Sequence, residues 1–251
     1  MRITVVTAVL NGAATVAGCL RSVASQTHAD VEHVVVDGGS RDGTRAIVER
    51  FPGRRGPFLS EPDRGLYDAL NKGIRLATGE VVGVLGADDE LAEPSVLSRV
   101  AGAMEDPSVD ACYGDLVYVR RGDPSCTVRY WRAGERLPGA FRRGWMPPHP
   151  TFYARRALLE KAGGFDISFR IAADYELMLR LLERDGARTA YLPGVLVRMR
   201  LGGTSNRGLR NLLRKTREDR RAWTVNGLPG GTLAVLRKNL VKLPQFLLRP
   251  G

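Results

Sequence analysis

A chain of 251 residues is long enough for one α/β domain with a sizeable core, and too short for two full-sized domains with linkers. Its 43% hydrophobic and 26% charged residues exclude a disordered or fibrous chain, and no apolar run approaches the roughly 20 residues of a membrane-spanning helix. The net charge is +11, of which residues 206–251 carry +9 through eleven Lys or Arg against two acids, Glu218 and Asp219. The first 205 residues are thus nearly neutral, and a basic appendage of this kind suits an anionic partner.

In chain order, ITVVTAV (Ile3 to Val9) is a β-branched run ending at Asn11-Gly12, the pattern of a buried parallel strand rather than a signal peptide. Val16, Leu20 and Val23 then repeat at helical spacing. A second strand at His33 to Gly39, a short helix at Thr44 to Phe51 and a weaker strand at Phe58 to Glu61 follow. Leu66, Leu70, Ile74 and Ala77 predict an amphipathic helix that Gly79 stops. Val81 to Leu85 is a fourth strand, and a helix after Pro94 turns Val96, Val100 and Met104 inward.

Such alternation predicts a parallel sheet with crossover helices, a Rossmann-like half. Beyond it, strands are expected at Cys112 to Val119 and, at an edge, Thr127 to Trp131. A Gly-, Pro- and Arg-rich loop over a site spans Arg132 to Pro148. A short helix ends at Gly163-Gly164, a strongly patterned one runs from Asp174 to Arg184, and two strands follow at Arg188 to Leu192 and Val195 to Leu201. The remainder reads as helical. The division expected is a catalytic domain over residues 1–205 and a basic helical extension over 206–251. Cys19, Cys112 and Cys126 show no CxxC pairing, which argues against a disulfide framework or zinc knuckle and for a reducing, cytoplasmic setting.

Acidic residues recur where strands end: Asp37 after the second, Asp88-Asp89 after the fourth. In an open parallel sheet ligands bind beyond the carboxyl ends of the strands. Carboxylates gathered there repel one another unless something positive joins them, and a divalent cation with a diphosphate does so economically. For a single Asp the alternative is a turn or a helix cap.

AVLNG at 8–12, VVVDGGSRDGT at 34–44, EPDRGLYDALNKGI at 61–74, ATGE at 77–80 and LGADDEL at 85–91 together resemble the successive signatures of family 2 glycosyltransferases. IAADYELMLRL at 171–181 resembles the downstream signature of bacterial cell-surface polysaccharide and glycolipid members. The resemblance covers residues 1–205. It implies a GT-A fold with a mixed central sheet, a nucleoside-diphosphate sugar donor (UDP first, dTDP or GDP open), Mn2+ or Mg2+, and inverting transfer to an acceptor hydroxyl. Asp37 would accept the imide N–H of a uracil-type base, with Thr7, Ala8 and Val9 over the ring. Asp63 and Arg64 fall in the nucleotide-pocket loop, with Asp68 and Asn71 on the helix facing it.

Asp89 would ligate the metal and Asp88 would contact the ribose or a metal-bound water, although the motif is Ala-Asp-Asp rather than a full Asp-x-Asp. Asp174 matches the catalytic base, with an N-cap as its alternative role and Glu176 as a fallback base. His149 would be a third metal ligand or line the acceptor site, whereas His28 and His33 read as structural. Gly202-Gly203-Thr204-Ser205 resembles a segment near the diphosphate.

A nucleotidyltransferase would share this architecture, but LNGAATVAG lacks the basic loop such enzymes carry after the first strand. A nucleic-acid-binding protein would explain the basic tail yet leave the acidic strand ends idle. In a catalytically inactive sugar-nucleotide-binding module, Asp89 and Asp174 would not both be needed. In the tail, Leu233, Leu236, Leu240, Leu243 and Leu247 recur at spacings of three or four with Arg237, Lys238 and Lys242 between them and Pro244 near the end. This is the pattern of an interfacial helix on an anionic membrane, where a lipid-linked acceptor would be met, or of a helix that packs its leucines on the catalytic domain or forms a dimer contact.

Overall fold

The computed structural model describes residues 1–202 and 209–241. The chain begins as the sequence predicts, with strand β1 (Ile3–Val9), helix α1 (Val16–Ala24), β2 (Val31–Asp37), α2 (Thr44–Glu49), β3 (Phe58–Ser60), α3 (Leu66–Leu76) and β4 (Val81–Val84). A two-residue strand β5 (Glu90–Leu91) and α4 (Val96–Ala103) follow. The second part holds β6 (Ala111–Arg120), β7 (Asp123–Trp131), β8 (Tyr153–Arg155), α5 (Arg156–Ala162), α6 (Ala173–Leu179) and β9 (Thr189–Arg200), then α7 (Leu209–Val225) and α8 (Gly231–Val241). Two strands predicted at 188–201 are one, because β9 continues through Pro193-Gly194 by an irregularity opposite Gly114 and Asp115.

Nine strands among the described residues form one mixed sheet in the order β3-β2-β1-β4-β8-β6-β9-β5, with β7 hydrogen-bonded to β6. The β3-β2-β1-β4 part is parallel; β8 runs antiparallel to both β4 and β6, and β9 parallel to β6. β1 is central, so both of its faces are covered. Val6 joins Leu70 and Ile74 of α3 on one face, while Ile3 and Val5 meet Cys19 and Val23 of α1 and Val100 of α4 on the other. Each such fully buried aliphatic side chain stabilises the fold by about 1.5–3 kcal/mol relative to exposure. Gly73 lets α3 approach β1 closely, since a Cβ there would collide with Val6.

The described part of the basic extension shares this core. Ala222, Trp223, Ala234 and Val235 belong to the same apolar cluster as Tyr175, Leu177 and Phe141. Gly144 closes the loop that follows β7 onto α8: its φ is 87°, and a Cβ at that position would strike the Lys238 backbone. Lys238 was expected on a charged outer face, yet it is fully buried, with Nζ 2.7 Å from Asp219 Oδ2 and 3.5 Å from the centroid of the Tyr175 ring. Burial lowers its pKa to about 8, against the pull of Asp219. Lys242, Leu243, Pro244 and Leu247 lie outside the described residues. All three cysteines are unpaired thiols, and no described helix is long and apolar enough to cross a membrane.

Candidate active site

The loops after β1 and β2 are laced together at the carboxyl edge of the sheet. Asn11, in the left-handed region at φ 52°, donates its N–H to Ser40 Oγ at 2.7 Å, and its Oδ1 accepts the Arg41 N–H at 2.9 Å. The Asn11 side chain is thus used across the two loops, and Asn is among the few residues that tolerate this conformation. Asp42 accepts from Ala13 N at 3.0 Å and from Thr44 Oγ1 at 2.5 Å, and these bonds depress its carboxyl pKa. Asp37 ends β2 fully buried, accepting from the backbone N–H and hydroxyl of Ser40 and from Ser60 Oγ at 2.7 Å. The Asp63 carboxylate lies directly over Gly38, where a Cβ would displace it. Asp37 and Asp63 thus form one acidic corner.

Of the other residues expected to hold the nucleotide, Ala8 is half-buried at the β1 end and Val9 packs inward. Thr7 departs from expectation. Its hydroxyl lies 3.0 Å from His33 Nε2 and 3.6 Å from Cys19 Sγ, inside the core, because alternate residues of a strand face opposite sides. His33 is accordingly structural, and burial lowers its pKa to about 4. Arg64 pairs with Asp68 at 2.8 Å while most of its guanidinium stays exposed, and that hydrogen bond holds the Asp68 carboxyl down at about 2. Asn71 is also turned away from the nucleotide edge. Its amide bonds both Phe165 O and Phe165 N at 2.8 Å, pinning α3 to the chain that leads into α6.

At the end of β4 the two acids differ. Asp88 is half-buried and reaches the surface, whereas Asp89 is only 3% exposed, with Oδ1 accepting the Arg200 N–H at 3.1 Å. Burial, then the charge of Asp88, raises the Asp89 pKa to about 8. The other Asp89 oxygen fills the space a side chain at Gly86 would occupy. Arg200 was not singled out in the sequence, yet it staples this loop by bonding Asp88 O at 2.9 Å and Glu90 at 2.6 Å. It is the basic neighbour these carboxylates lack in sequence, supplied by β9. Gly202 is described at φ 105°, and Gly203, Thr204 and Ser205 lie outside the described residues.

Asp174 is the second residue of α6. The N-cap is Ala172, and the Asp174 carboxylate does not cap the helix. Instead, Tyr67 Oη donates to Ile171 O at 2.7 Å and approaches Asp174 Oδ1 at 3.3 Å. On β6, burial raises the Tyr118 phenol pKa, Arg129 4.8 Å over its ring lowers it, and both Asp89 and Asp174 raise it further. His149 stands edge-on to Phe165 at 5.6 Å and near Asp174, which opposes the lowering of its pKa by burial. Its neighbour is thus Asp174, and among the described residues no three His, Cys, Asp or Glu side chains converge as a metal set. Glu176 is removed from consideration as a base. It is buried and its carboxylate is engaged by Arg180 at 2.9 Å and Asn226 at 3.0 Å, so it is spent on an ion pair rather than free to take a proton.

Residues 4–172 match the family described as Glycosyl transferase family 2. The chain belongs to glycosyl transferase family 2. It is 36% identical over 203 residues to the PGL/p-HBAD biosynthesis glycosyltransferase of Mycobacterium bovis (strain BCG / Pasteur 1173P2), a match spanning 78% of this chain and 76% of that protein. The fold resembles that of S. aureus TarS 1-349 in complex with UDP, with a TM-score of 0.70 at 17% identity over 96% of this chain and 72% of that one. It also resembles the mannosyltransferase PcManGT from Pyrobaculum calidifontis in complex with GDP-Man and Mn2+, with a TM-score of 0.68 at 22% identity over 98% and 73%. The architecture is GT-A, as the resemblance in sequence implied, and this family 2 member is a glycosyltransferase.

Proposed function

We propose that the enzyme transfers a sugar from a nucleoside diphosphate, UDP first, to an acceptor hydroxyl with inversion at the anomeric carbon. The observation that carries this reading is that Asp174, half-buried at the head of α6, is not used as that helix's cap and meets the Tyr67 hydroxyl at 3.3 Å, which leaves its carboxylate open to an acceptor. A leaving group and an attacking group must flank a single anomeric carbon, and we assign the acids that end β4 to the first and Asp174 to the second. Asp174 takes the proton of the acceptor hydroxyl while that oxygen bonds to the anomeric carbon. The bond from that carbon to the diphosphate oxygen breaks, and its electron pair leaves with the nucleoside diphosphate. One carboxylate on the attacking side makes this a single displacement.

The acids at 88 and 89 suit a divalent cation such as Mn2+ or Mg2+. Both are hard oxygen donors, and a set this small matches ions that complete their shell with diphosphate oxygens and water. Because Asp89 is buried and tied to Arg200, Asp88 would contact the cation directly, with Asp89 supporting the loop behind it. When bound, the cation would offset charge developing on the diphosphate. Asp37 and Asp63 together would hold the base edge, with the half-buried Asp63 accepting the imide N–H and the fully buried Asp37 behind it. The acceptor enters from the side of His149 and the 132–148 loop.

The lipid-linked acceptor proposed for this enzyme places it on the inner face of an anionic membrane. Leu233, Leu236 and Leu240 are 52%, 56% and 63% exposed, so these leucines do not pack on the catalytic part. Arg237 on α8 and Arg214, Arg217 and Arg220 on α7 are exposed as well. Leucines beside arginines on one pair of helices suit an interface of acyl chains and phosphate head groups.

Calorimetric titration with UDP-, dTDP- and GDP-sugars, in Mn2+, Mg2+ or EDTA, tests the donor site. The expected outcome is binding of a UDP-sugar that needs the cation, weakened at least about tenfold by Asp88→Ala, or roughly 1.4 kcal/mol. Equal affinity in EDTA would remove the cation from the reading, and selectivity for a purine carrier would remove the role given to Asp37 and Asp63.

A further inference from the structure

The helix that carries Asp174 has no cap of its own. Ala172 occupies the N-cap and offers no side-chain acceptor, and the N–H groups of the three residues that lead into α6, Arg170 to Ala172, take their partner from elsewhere. That partner comes from the basic extension. The Glu218 carboxylate, on α7, accepts the N–H of Arg170 at 3.2 Å, of Ile171 at 2.8 Å and of Ala172 at 3.0 Å. Three charge-assisted bonds to consecutive residues fix the entry to the helix in position and direction.

Ile171 is held from both sides: its N–H by Glu218, and its carbonyl by Tyr67, the same hydroxyl that approaches Asp174. The α7 backbone behind Glu218 is itself anchored. Arg221 bonds Ser168 Oγ at 2.8 Å and lies 4.4 Å over the Phe169 ring, and Asp219 pairs with the buried Lys238 beneath Tyr175. Trp223 Nε1 donates to Tyr175 Oη at 2.9 Å, tying the residue after Asp174 to the same helix. The two acids of this otherwise basic segment both point inward, at the residues around the proposed base.

We propose that Glu218 is a positioning residue for Asp174: by holding the backbone of Arg170, Ile171 and Ala172 it fixes the entry to α6 and so aims the Asp174 carboxylate at the acceptor. The inference rests on the reading of Asp174 as the base. A shift of about 1 Å in a reacting group lowers turnover by up to about a hundredfold without changing the groups present. The bonds of Glu218 are to the backbone that leads into α6, so the effect proposed for it passes through Asp174.

The test uses the full chain as wild type, Glu218→Ala, Glu218→Gln, Asp174→Asn and Asp174→Asn/Glu218→Ala. Turnover is read as release of UDP from UDP-glucose, or as the diphosphate of whichever sugar nucleotide the calorimetric panel selects. Hydrogen exchange of the peptide spanning residues 166–174 is read alongside it, without donor. Glu218→Ala is expected to speed exchange in that peptide and lower turnover by about ten- to a hundredfold at unchanged donor affinity. Glu218→Gln keeps the shape and one acceptor oxygen, so it folds and recovers most of the loss. In the Asp174→Asn background, Glu218→Ala should change residual turnover less than about twofold, because a residue that acts only through Asp174 has nothing left to position.

The same fold loss in both backgrounds, unchanged turnover in Glu218→Ala and Glu218→Gln, or a parallel fall in donor affinity would overturn the proposal. Near-normal turnover in Asp174→Asn would instead overturn the assignment of the base, whatever Glu218 does.

Discussion

The donor edge of the sheet and the helix that carries Asp174 are held in different ways. At the donor edge the bonds are short in sequence: Asp37 to Ser40, Asp42 to Thr44, Asp63 to Gly65, Arg64 to Asp68, with two loops stitched across about thirty residues by Asn11 and Asp42. Around Asp174 nearly every holding contact comes from far away. Tyr67 lies 107 residues before it, Glu218 reaches back 46 to 48 residues, and Lys238 of α8 lies under Tyr175. The Asp37–Asp63 corner can therefore be carried by contiguous motifs, whereas the Asp88-Asp89 loop leans on distant Arg200 and the surroundings of Asp174 depend on the C-terminal helices.

The largest expected effect tests that contrast at its centre. Asp174→Asn should lower turnover about a hundredfold or more, the lower end of what a general base contributes, while calorimetry shows unchanged donor affinity. Since Ala172 holds the N-cap, the substitution leaves the fold intact. Turnover within a few-fold of wild type would return Asp174 to a structural role.

A second effect belongs to the core beneath the donor edge. The His33 pKa falls from 6.5 to about 4 through burial, so between those values the unfolded chain takes a proton that the native one refuses. Stability is then lost as the pH drops from about 6.5 to 4, by up to about 3 kcal/mol. His149, also lowered by burial, adds in the same direction. Denaturant unfolding at pH 7.5, 6, 5 and 4.5 should show this slope, and His33→Gln should flatten it; an identical slope in the variant would remove His33 from the account.

Asn71 sharpens the boundary between the two regions. It lies within a nucleotide-pocket motif, yet its amide is spent on Phe165. Asn71→Ala should cost about 1–3 kcal/mol of stability by orphaning those backbone groups, with donor affinity unchanged by calorimetry. A loss of affinity without a loss of stability would restore Asn71 to the pocket.

The smallest effect concerns the outer face of α8. Sedimentation with vesicles containing anionic lipid should carry the intact protein down at low salt and release it as salt rises. Replacing Leu233, Leu236 and Leu240 with Ser should weaken binding without altering turnover in solution. Protein that stays in the supernatant would refute the membrane surface.

The parallel half of the fold was legible because each element is local. β-branched runs bounded by glycine turns make buried strands, and Leu70 and Ile74 repeat at the period of a helix that lies on them. The acids at strand ends were legible for the same reason, since open parallel sheets present those ends to ligands. Thr7 was misplaced because motif position says nothing about which face of a strand a side chain takes. Arg200 and Tyr67 went unnoticed because each works on a partner more than a hundred residues away.

By itself the sequence determined the order of the elements, the acidic edge where a donor would sit and the identity of Asp174 as the residue to watch. It also marked the C-terminal segment as basic and set Glu218 and Asp219 apart as its only two acids. Tertiary structure alone decided what those acids do, because a carboxylate and the backbone N–H groups of Arg170, Ile171 and Ala172 meet only once α7 has packed on α6. It decided likewise that Asp89 turns inward while Asp88 stays at the surface, and that Lys238 is buried while its neighbouring leucines are not. In each case burial and pairing belong to the assembled core, and no stretch of chain contains both partners.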